Sequence, residues 1–529
     1  MGMFLNPGND AFQKDINNDI YVDKTDLISC MNQKLNKTDS MYVCVSRPRR
    51  FGKSMAANML TAYYSRGCGS EVLFSPYKAA KSPSFPVHLN KYDVIHIDVQ
   101  WCRGNVSSAS DTVSYIQEKV IIELKLEFPR IISDDAKTLP EVLAAVNEST
   151  GRRFIVIIDE WDSIIRDDAQ DCAAQENYIN FLRNMFKGAL PARYLSLVYL
   201  TGILPVRKLK TQSALNNFDE FTMVDAGELS PYTGFTEEEV QSLCGKYDRN
   251  FHDIKRWYDG YLLEGNLHIY NPQAVISSVR RGKLKSYWST TGTYEMITPF
   301  INMNFNGLKS SIIQMLSGSS VRVNTKSYQN DMVTFKNKDD ILTLLIHLGY
   351  LAYDEEKGEA FIPNEEIRSE FVEAVDDDRW TELAQLQRKS EELLHAALNM
   401  NSNAVASAVE EAHSAYSSIL QYNDENALSC VISMAFFSAV QYYYLPIREL
   451  PSGRGFADLV FLPKKEYPQI PALLIELKWD KSAETAIQQI KDKHYTRALE
   501  QYAGEILLIG INYSKKQTRH QCMIEKYRC

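Results

Sequence analysis

The chain has 529 residues, of which 45% are hydrophobic and 24% charged, and its formal net charge is −9. This composition is typical of folded soluble protein and excludes disordered, collagen-like and coiled-coil classes. At roughly 150 residues per domain, the length predicts three or four domains. The apolar stretches fall short of the roughly 18 residues that a membrane span needs, the N-terminus lacks the pattern of a secretory signal, and the nine cysteines form no CxxC pair. We therefore expect a cytoplasmic protein with reduced thiols and no membrane partner.

The first part of the chain alternates apolar runs with amphipathic stretches, which predicts a doubly wound parallel α/β sheet over residues 1–229. The predicted strands are 40–46, 94–99, 154–158 and 194–201. The predicted helices between them are 53–64, 112–128 and 175–189. An accessory helical lobe is predicted over 230–370. Its predicted elements are a helix that starts at Thr236 with acidic residues in its first turn, a helix over 340–348, and a hairpin of 350–353 and 360–362.

The last part of the chain changes pattern again. Residues 371–419 are predicted to be a connector that contains one solvated helix over 384–412. An αβββαβ-like module is predicted over 420–529, with helices 425–440 and 483–499 and strands 442–448, 456–462, 472–477 and 506–511. Residues 441–529 carry 14 basic and 10 acidic residues, whereas residues 1–440 carry 44 and 57. This asymmetry is typical of a chain in which one module meets a polyanion.

Residues 46–54 read SRPRRFGKS and join an apolar strand to an amphipathic helix, which is the context that a phosphate-binding loop requires. Backbone N–H groups of such a turn would hold phosphate oxygens, Lys53 would neutralise phosphate charge, and the Ser54 hydroxyl would ligate Mg²⁺. Arg47 replaces the first glycine of the general G-x-x-x-x-G-K-[ST] pattern. An isolated GKS segment also fits a basic turn before a helix, so a second element is needed to decide.

The segment FIVIIDE at residues 154–160 supplies this second element. It predicts a buried strand whose carboxyl end carries Asp159 and Glu160, at the edge where doubly wound sheets bind their ligands. Asp159 is predicted to hold Mg²⁺ and Glu160 to polarise the attacking water. Thr201 ends another strand, where it would sense the terminal phosphate or simply end the strand. Candidates for an arginine finger, or else for surface ion pairs, are Arg207, Arg280 and Arg281.

Two consecutive predicted strands near the C-terminus carry a second set of polar residues. Glu476 and Lys478 stand two apart in LLIELK, so they point to the same face of an otherwise apolar strand, where burial without a purpose is costly. Asp458 and Glu476 are predicted to bind Mg²⁺ while Lys478 orients a water or stabilises charge on a scissile phosphodiester. The alternative is an edge strand with an exposed ion pair.

Three further residues are candidates for the same C-terminal site. Gln489 and Tyr495, on the next predicted helix, would position the site or a nucleic acid backbone. Glu425, which opens the preceding helix, is a candidate acidic ligand. Each of these residues fits an ordinary place on a helix surface equally well.

The motifs in both halves of the chain point to one family. They are YVDKT (21–25), RPRRFGKS (47–54), IDEWD (158–162), TGI (201–203), WYDGY (257–261), YNP (270–272), IPNE (362–365), AD (457–458), ELK (476–478) and QI (489–490). Together they resemble the bacterial AAA-ATPase-like proteins that carry a C-terminal PD-(D/E)XK nuclease superfamily domain. The phosphate loop of that family typically reads RPRRFGK, so Arg47 is a family trait. Trp161 stands where the family more often has Tyr, and the LPVR after TGI differs from the usual polar pattern.

The resemblance implies an α/β fold with three parts: a P-loop NTPase sheet, a helical lid or winged-helix-like lobe, and a restriction-endonuclease-like domain. It implies ATP and Mg²⁺ as cofactors and nucleic acid, DNA or RNA, as partner, and the architecture is compatible with an oligomer. The residues that would bind nucleotide are Arg49, Arg50, Gly52, Lys53, Ser54, Asp159 and Thr201. The residues that would carry catalysis are Glu160, Asp458, Glu476, Lys478 and Gln489.

Two classes of function follow from these expectations. The first is an ATP-dependent nucleic acid enzyme, in which nucleotide state gates Mg²⁺-dependent cleavage. The second is a nucleotide-dependent switch or scaffold that binds a partner without cutting, which the net charge of −9 and the modestly basic C-terminal segment favour. A third possibility is that neither site retains its activity.

Overall fold

The computed structural model describes residues 2–206, 215–264, 267–288, 294–330, 332–375, 380–416, 425–452, 455–499, 504–514 and 519–528. The chain divides into two compact units. Unit 1 comprises Met1–Tyr287 and Val323–Ala360, and unit 2 comprises Trp288–Arg322 and Phe361–Cys529. Among the described residues, no helix combines the length and apolar character that a membrane crossing requires.

Unit 1 is built on a five-stranded sheet in which every pairing between neighbouring strands is parallel. In spatial order its strands are Asp93–Asp98, Phe154–Asp159, Leu195–Gly202, Tyr42–Ser46 and Asp219–Phe221. The first four confirm the predicted strands and the parallel sheet. Runs such as Phe154–Asp159 are buried along their whole length, which is why continuous apolar character identified them. The fifth strand has three half-buried residues and no such signal, and the sequence analysis missed it.

Helices cover the parallel sheet and bury the apolar faces that the sequence pattern predicts. Lys53–Tyr64 is a helix as predicted, and the other two predicted crossovers occur as Thr112–Glu127 and Cys172–Phe186. The remaining α-helices of this part are Asp10–Ile16, Asp26–Lys34, Glu71–Phe74, Phe85–His88, Val99–Gly104, Leu139–Thr150, Ser163–Asp167 and Pro191–Tyr194. Short 3₁₀ helices span Lys78–Lys81, Ala109–Asp111 and Gly227–Tyr232.

The rest of unit 1 follows the parallel sheet and mixes helices with short strands. The helix Glu237–Lys246 begins with a capping box between Thr236 and Glu239, which confirms the predicted start. The other helices are Phe251–Tyr258, Pro272–Arg281 and Lys338–Leu348, and the predicted hairpin occurs as Ala352–Asp354 and Glu359–Phe361. The sequence analysis missed a small antiparallel sheet of Phe235–Thr236, Leu267–Tyr270 and Tyr261–Leu263, whose strands have only two to four residues.

Unit 2 contains a five-stranded mixed sheet. In spatial order its strands are Ile447–Ser452, Gly455–Phe461, Ala472–Trp479, Glu505–Ser514 and Arg519–Arg528. The pair of Ala472–Trp479 and Glu505–Ser514 is parallel, and the other pairings are antiparallel. The α-helices are Tyr294–Ile301, Leu308–Leu316, Glu365–Val375, Thr381–Leu398, Ser402–Tyr416, Glu425–Ala435 and Ala483–Asp492. Phe437–Gln441 and Tyr495–Leu499 are 3₁₀ helices, and Val321–Arg322 is a short strand.

The prediction of one solvated helix over 384–412 is wrong. Two helices, Thr381–Leu398 and Ser402–Tyr416, occupy this region, and the chain turns between them at Met400, whose φ is 57°. Leu393 and Val405 are among the side chains buried in a core that these helices form with the mixed sheet. Charged residues hid the apolar stripe of the helix Thr381–Leu398, whereas the stripe of Ser402–Tyr416 consists of alanine and valine and is therefore weak.

Three other predictions in unit 2 need correction. The first strand is Ile447–Ser452 and not 442–448, because Phe437–Gln441 and the turn after it take up the chain before it. The helix predicted over 483–499 ends at Asp492, and Tyr495–Leu499 continues as a 3₁₀ helix. The edge strand Arg519–Arg528 was missed, since its sequence is largely polar.

Candidate functional sites

The turn between the strand Tyr42–Ser46 and the helix Lys53–Tyr64 has the geometry of an anion cradle. Arg50 and Gly52 have φ values of 69° and 83°, so the backbone folds back before the helix begins. A Cβ built on Gly52 meets no atom within 4 Å, which leaves open space in front of the helix N-terminus. Backbone N–H groups and the helix dipole at such a position favour a phosphate.

Lys53 is buried at this turn, with only 4% of its surface exposed. Its Nζ donates to the carbonyl of Pro48 at 3.0 Å and lies 3.9 Å from Glu160 Oε1. Burial lowers the pKa of Lys53, while the neighbouring carboxylates, Glu160 first, act in the opposite direction. A phosphate placed in the cradle would supply the negative charge that stabilises the ammonium.

Arg47, which occupies the place of the first glycine, is fully buried beneath the turn. Its Nη1 donates to the carbonyls of Ser46, Phe221 and Thr222 at 3.0, 2.9 and 2.9 Å. Burial lowers the pKa of Arg47 to about 10. The arginine therefore ties the start of the turn to the chain after the edge strand, which explains how the loop forms without a glycine there.

Asp159 and Glu160 follow the neighbouring strand at the same edge of the sheet. Asp159 accepts a hydrogen bond from Thr201 Oγ1 at 3.3 Å, and the Ser54 hydroxyl is close enough to lower the pKa of Asp159. Burial raises the pKa of Asp159, and the hydrogen bonds and the Lys53 ammonium oppose that rise. Glu160 has a φ of 49°, and burial raises its pKa as well. The fold thus brings together the lysine, serine, threonine and both acids that the sequence proposed.

Sequence reasoning missed two residues next to this acidic pair. Asp162 is fully buried, and its Oδ2 accepts hydrogen bonds from the N–H groups of Ile203 and Leu204 at 3.0 and 2.8 Å. Arg166 Nε donates to the same Oδ2 at 3.0 Å, and its Nη2 donates to Glu160 at 2.8 Å. The spacing of Asp162 and Arg166, four residues apart, was the signal available in the sequence.

A cavity of about 920 Å³ opens beside the turn and is formed entirely by unit 1. Arg50, Lys53, Ser54 and Glu160 are on its wall. Apolar side chains also line it, namely Phe12, Ile20, Met59, Phe235 and Ile276. A nucleotide matches both parts of this wall. Its phosphates are anionic and suit the turn, and its flat base suits the apolar side.

The arginine candidates have different positions relative to this cavity. Arg280 and Arg281 line it, and Arg280 also forms an exposed ion pair with Asp19 at 2.9 Å. Arg207 lies outside the described residues. Arg49 is exposed and is not part of the cavity wall, whereas Arg50 lines it and donates to the carbonyl of Tyr287 at 2.8 Å.

The predicted C-terminal residues converge in unit 2. Glu476 is 1% exposed, and its Oε1 accepts hydrogen bonds from Lys478 Nζ at 2.9 Å and Gln489 Nε2 at 2.5 Å. Asp458 Oδ2 accepts the N–H of Leu477 at 2.7 Å. Glu476 Oε2 is buried with no hydrogen-bond partner among the described residues. Hard cations such as Mg²⁺ prefer carboxylate oxygens, so the donor set fits such an ion.

Electrostatics distinguishes Glu476 from an ordinary glutamate. Burial, assisted by nearby Asp458, raises its pKa from 4.5 to about 7, although Lys478 acts in the opposite direction. Gln489 also donates to the hydroxyl of Tyr495 at 3.1 Å, so both residues proposed from the following helical segment reach the site. Glu425 begins the helix Glu425–Ala435, and its side chain lies outside the described part of the chain.

The parallel sheet, the cradle and the acidic strand end define a P-loop nucleotide-binding fold, and the mixed sheet carries a nuclease-like D…ExK set. Comparison with models of protein families agrees with both of these assignments. Residues 8–211 match the family described as "Predicted AAA-ATPase", and residues 423–522 match the "PD-(D/E)XK nuclease superfamily". The chain therefore contains an AAA-ATPase-like domain and a C-terminal domain of the PD-(D/E)XK nuclease superfamily.

One curated relative is similar to part of the chain. It is described as "Uncharacterized protein in vnfD 5'region" of Azotobacter chroococcum mcd 1 and is 26% identical over 279 residues. The match covers 52% of this chain, and the chain spans about half the length of that relative, 51%. Its description assigns no activity.

Two solved structures are distant matches. The Aeropyrum pernix ORC2 protein in ADPNP–ADP complexes has a TM-score of 0.33 at 11% identity, covering 69% of this chain and 98% of that chain. Drosophila ORC bound to DNA has a TM-score of 0.23 at 12% identity, covering 70% of this chain and 92% of that chain. Similarity at this level carries no functional argument.

Proposed function

We propose that unit 1 binds ATP with Mg²⁺ and hydrolyses it. The observation that carries this proposal is the meeting of Lys53, Ser54, Asp159 and Glu160 beside one cavity of about 920 Å³. These groups come from one strand end and one helix start, and together they match the donors and acceptors that a triphosphate requires. We assign the phosphate-binding and catalytic groups to residues 1–229, and residues between 232 and 281 complete the wall of the cavity.

Each residue has a role that its contacts support. The cradle N–H groups bind phosphate oxygens, and Lys53 exchanges its carbonyl contact with Pro48 for a phosphate oxygen. Ser54 and Asp159 hold the Mg²⁺, which when bound neutralises charge on the transferred phosphate. Glu160 accepts a proton from the attacking water, and Thr201 keeps Asp159 in place.

Nucleotide binding by the Lys53→Ala protein tests this proposal. Binding of a fluorescent ATP analogue is expected to weaken at least about tenfold, because a charge-assisted contact contributes roughly 1.5–3 kcal/mol. Lys81→Ala is the matched control, since Lys81 is exposed in the same unit. Equal affinities for the wild type and Lys53→Ala, or no binding by the wild type, would exclude the proposal.

We further propose that unit 2 hydrolyses phosphodiesters of DNA or RNA with a divalent metal, and we assign this activity to residues 420–529. The observation that carries it is the buried Glu476, whose Oε2 makes no hydrogen bond within the described residues while Lys478 and Gln489 hold Oε1. Asp458 and Glu476 ligate the metal, which when bound activates water and stabilises charge on the phosphate. Lys478 and Gln489 keep the Glu476 carboxylate oriented toward it.

Cleavage assays on plasmid DNA and on RNA with Mg²⁺ or Mn²⁺ test this activity. Glu476→Ala is expected to abolish cleavage, and Glu466→Ala, an exposed glutamate of the same unit, is expected to retain it. Performing each assay with and without ATP shows whether nucleotide state gates the nuclease. Equal products from the wild type and Glu476→Ala would disprove the assignment.

The second candidate function is a nucleotide-dependent switch that binds a partner without cutting. The net charge of −9 favours it, because duplex-binding proteins usually carry denser positive charge. Under this reading the protein binds ATP, no metal-dependent cleavage occurs, and Lys53→Ala changes partner binding whereas Lys478→Ala does not. Both proposals include residence in the cytoplasm, and both are compatible with an oligomer.

A further inference from the structure

Unit 2 contains a cluster of histidine and glutamate that the proposed nuclease activity does not use. Glu410 and His413 lie one turn apart on the helix Ser402–Tyr416, and His520 is on the edge strand Arg519–Arg528. One ligand atom from each of the three residues lies within 4.8 Å of the other two. More than 100 residues separate the helical pair from His520, so the fold alone brings them together.

The two imidazoles are buried and held in place by aromatic neighbours. His413 and His520 are 9% and 7% exposed, and their ring centroids lie 5.0 Å apart. Tyr513 packs on both rings, at 4.9 Å from His413 and 5.0 Å from His520. Imidazole is the commonest side-chain ligand of metal ions in proteins. The side chain of Glu410 remains 39% exposed and leaves a path from solvent.

The cluster is separate from the site around Glu476. Leu473, Ile475 and Leu477 alternate with Glu476 and pack in the core formed with the helices Thr381–Leu398 and Ser402–Tyr416. His520 lies opposite Tyr513 in the pairing of the last two strands, and the side chain of Tyr513 packs against that same core. Glu476 therefore points to one face of the mixed sheet, and the histidine cluster lies on the other.

The donor atoms of the cluster indicate which metal ion it would bind. His520 Nδ1 and Glu410 Oε2 lie within hydrogen-bond distance, 2.6 Å apart. A metal ion bound to both atoms would replace this hydrogen bond, and the imidazole would then carry its proton on Nε2. Ligands about 2.0–2.1 Å from a tetrahedral zinc stand roughly 3.3 Å from one another, so modest side-chain rotations bring all three atoms into position. Two imidazoles with one carboxylate form a ligand set typical of zinc.

A second cluster in the chain, Glu237, Asp259 and His268 in unit 1, meets the same distance criterion. There the ammonium of Lys255 lies 2.5 Å from Glu237 and 3.9 Å from Asp259. A cation is therefore already provided by the protein, and a metal would have to displace it. At Glu410, by contrast, the carboxylate accepts a hydrogen bond from the imidazole of His520. This contrast makes the cluster of unit 2 the better metal site.

We propose that Glu410, His413 and His520 bind one Zn²⁺ ion that fastens the edge strand Arg519–Arg528 to the helix Ser402–Tyr416. Three protein ligands leave a fourth position for water or for an external ligand. The ion closes a long chain segment in the folded state and holds a strand that pairs on one side only among the described strands. Its binding free energy therefore contributes to the stability of unit 2.

The test uses the untagged full-length chain and measures bound metal by mass spectrometry after dialysis against a weak chelator. We expect about one zinc per chain for the wild type, and less than about a tenth of that for His413→Ala and for His520→Ala. Replacement by Co²⁺ is expected to give the visible absorption of a tetrahedral site with nitrogen ligands. Removing zinc with a strong chelator should lower the melting temperature of the wild type, and adding zinc should restore it.

Three variants keep the proposal falsifiable. Glu410→Gln preserves size and fold while removing the charge, and it is expected to weaken zinc binding at least about tenfold. His268→Ala alters the other cluster, and Glu476→Ala alters the nuclease-like site; both are expected to retain the zinc. Wild-type protein that neither holds zinc nor takes it up on titration would overturn the proposal. Retention of zinc by folded His520→Ala and Glu410→Gln would overturn it as well.

Discussion

Arg166 Nη2 donates a hydrogen bond of 2.8 Å to Glu160 Oε2, and the same guanidinium bonds through Nε to Asp162 at 3.0 Å. Asp162 in turn accepts the backbone N–H groups of Ile203 and Leu204, which directly follow the strand that carries Thr201. The side chain proposed to activate water is thus tied, through one arginine and one buried aspartate, to the neighbouring strand. Four predictions follow from this arrangement and from the site in unit 2.

The first prediction concerns Glu160 as a general base. Glu160→Gln keeps the size of the side chain and its contact with Arg166, but an amide cannot accept the proton of water. ATP hydrolysis, measured as phosphate release, is expected to fall at least about 100-fold, with ATP affinity changed by less than about threefold. Glu148→Gln, at an exposed position, is the control. Unchanged turnover in Glu160→Gln would remove Glu160 from the mechanism.

The second prediction concerns the cost of losing Arg166. Its side chain is 5% exposed, and Arg166→Ala leaves the fully buried Asp162 without its cationic partner. The free energy of unfolding, measured by urea denaturation, is expected to fall by about 3–5 kcal/mol, because an uncompensated buried charge remains. Arg103→Ala breaks a pair with Asp168 that is more exposed and should cost about 1 kcal/mol or less. Equal losses in the two variants would contradict the buried network.

The third prediction concerns the close approach of Gly202 to the acidic segment. A Cβ at Gly202 would lie 2.6 Å from Trp161 Cδ1 and 2.7 Å from Asp162 Oδ1, and both neighbours are fully buried. Gly202→Ala is therefore expected to lower the free energy of unfolding by about 1–3 kcal/mol. Gly245→Ala places its methyl group in open space at an exposed position of the helix Glu237–Lys246 and is expected to stabilise by about 0.5–1 kcal/mol. Thermal melts of both variants give the comparison, and stabilisation of both would contradict this steric argument.

The fourth prediction concerns pH and the metal in unit 2. Glu476 must be ionised to ligate a cation, and its pKa is raised to about 7. Mn²⁺ affinity, measured by calorimetry, is expected to fall about tenfold per pH unit below about pH 7 and to level off above it. In Glu476→Gln this pH dependence should disappear together with the tight binding. A wild-type affinity that stays flat between about pH 5 and about pH 8 would contradict the raised pKa.

The raised pKa of Glu476 also determines whether the metal-free protein becomes more or less stable as the pH rises. Because the pKa of Glu476 is higher in the folded state than its ordinary value of 4.5, the folded protein binds the proton more tightly than the unfolded chain. The contribution of Glu476 to stability is therefore largest at low pH and is lost as the pH rises from about 4.5 to about 7. Added metal should offset that loss of stability. Urea denaturation at several pH values, with and without Mn²⁺, measures both effects.

Much of the fold could be predicted because its signals are local. The strand Phe154–Asp159 is buried on both faces and reads as an unbroken apolar run, and the helix Lys53–Tyr64 has apolar residues at helical spacing. The amphipathic helices Thr381–Leu398 and Ser402–Tyr416 were misjudged, because charged residues obscure the apolar stripe of the first and small residues weaken that of the second. Short strands such as Asp219–Phe221 carry too few residues for a pattern.

The sequence by itself determined which chemical groups are available and which of them stand at element ends: Lys53 and Ser54 at a helix start, Asp159 and Glu160 at a strand end, Glu476 and Lys478 on one strand face. Only the tertiary structure decided that Arg166 holds Glu160, that Gln489 reaches Glu476, and that His520 meets Glu410 and His413. The physical reason is the separation along the chain over which each kind of interaction acts. Backbone propensity and residue spacing act over a few residues, whereas hydrophobic packing joins segments more than 100 residues apart.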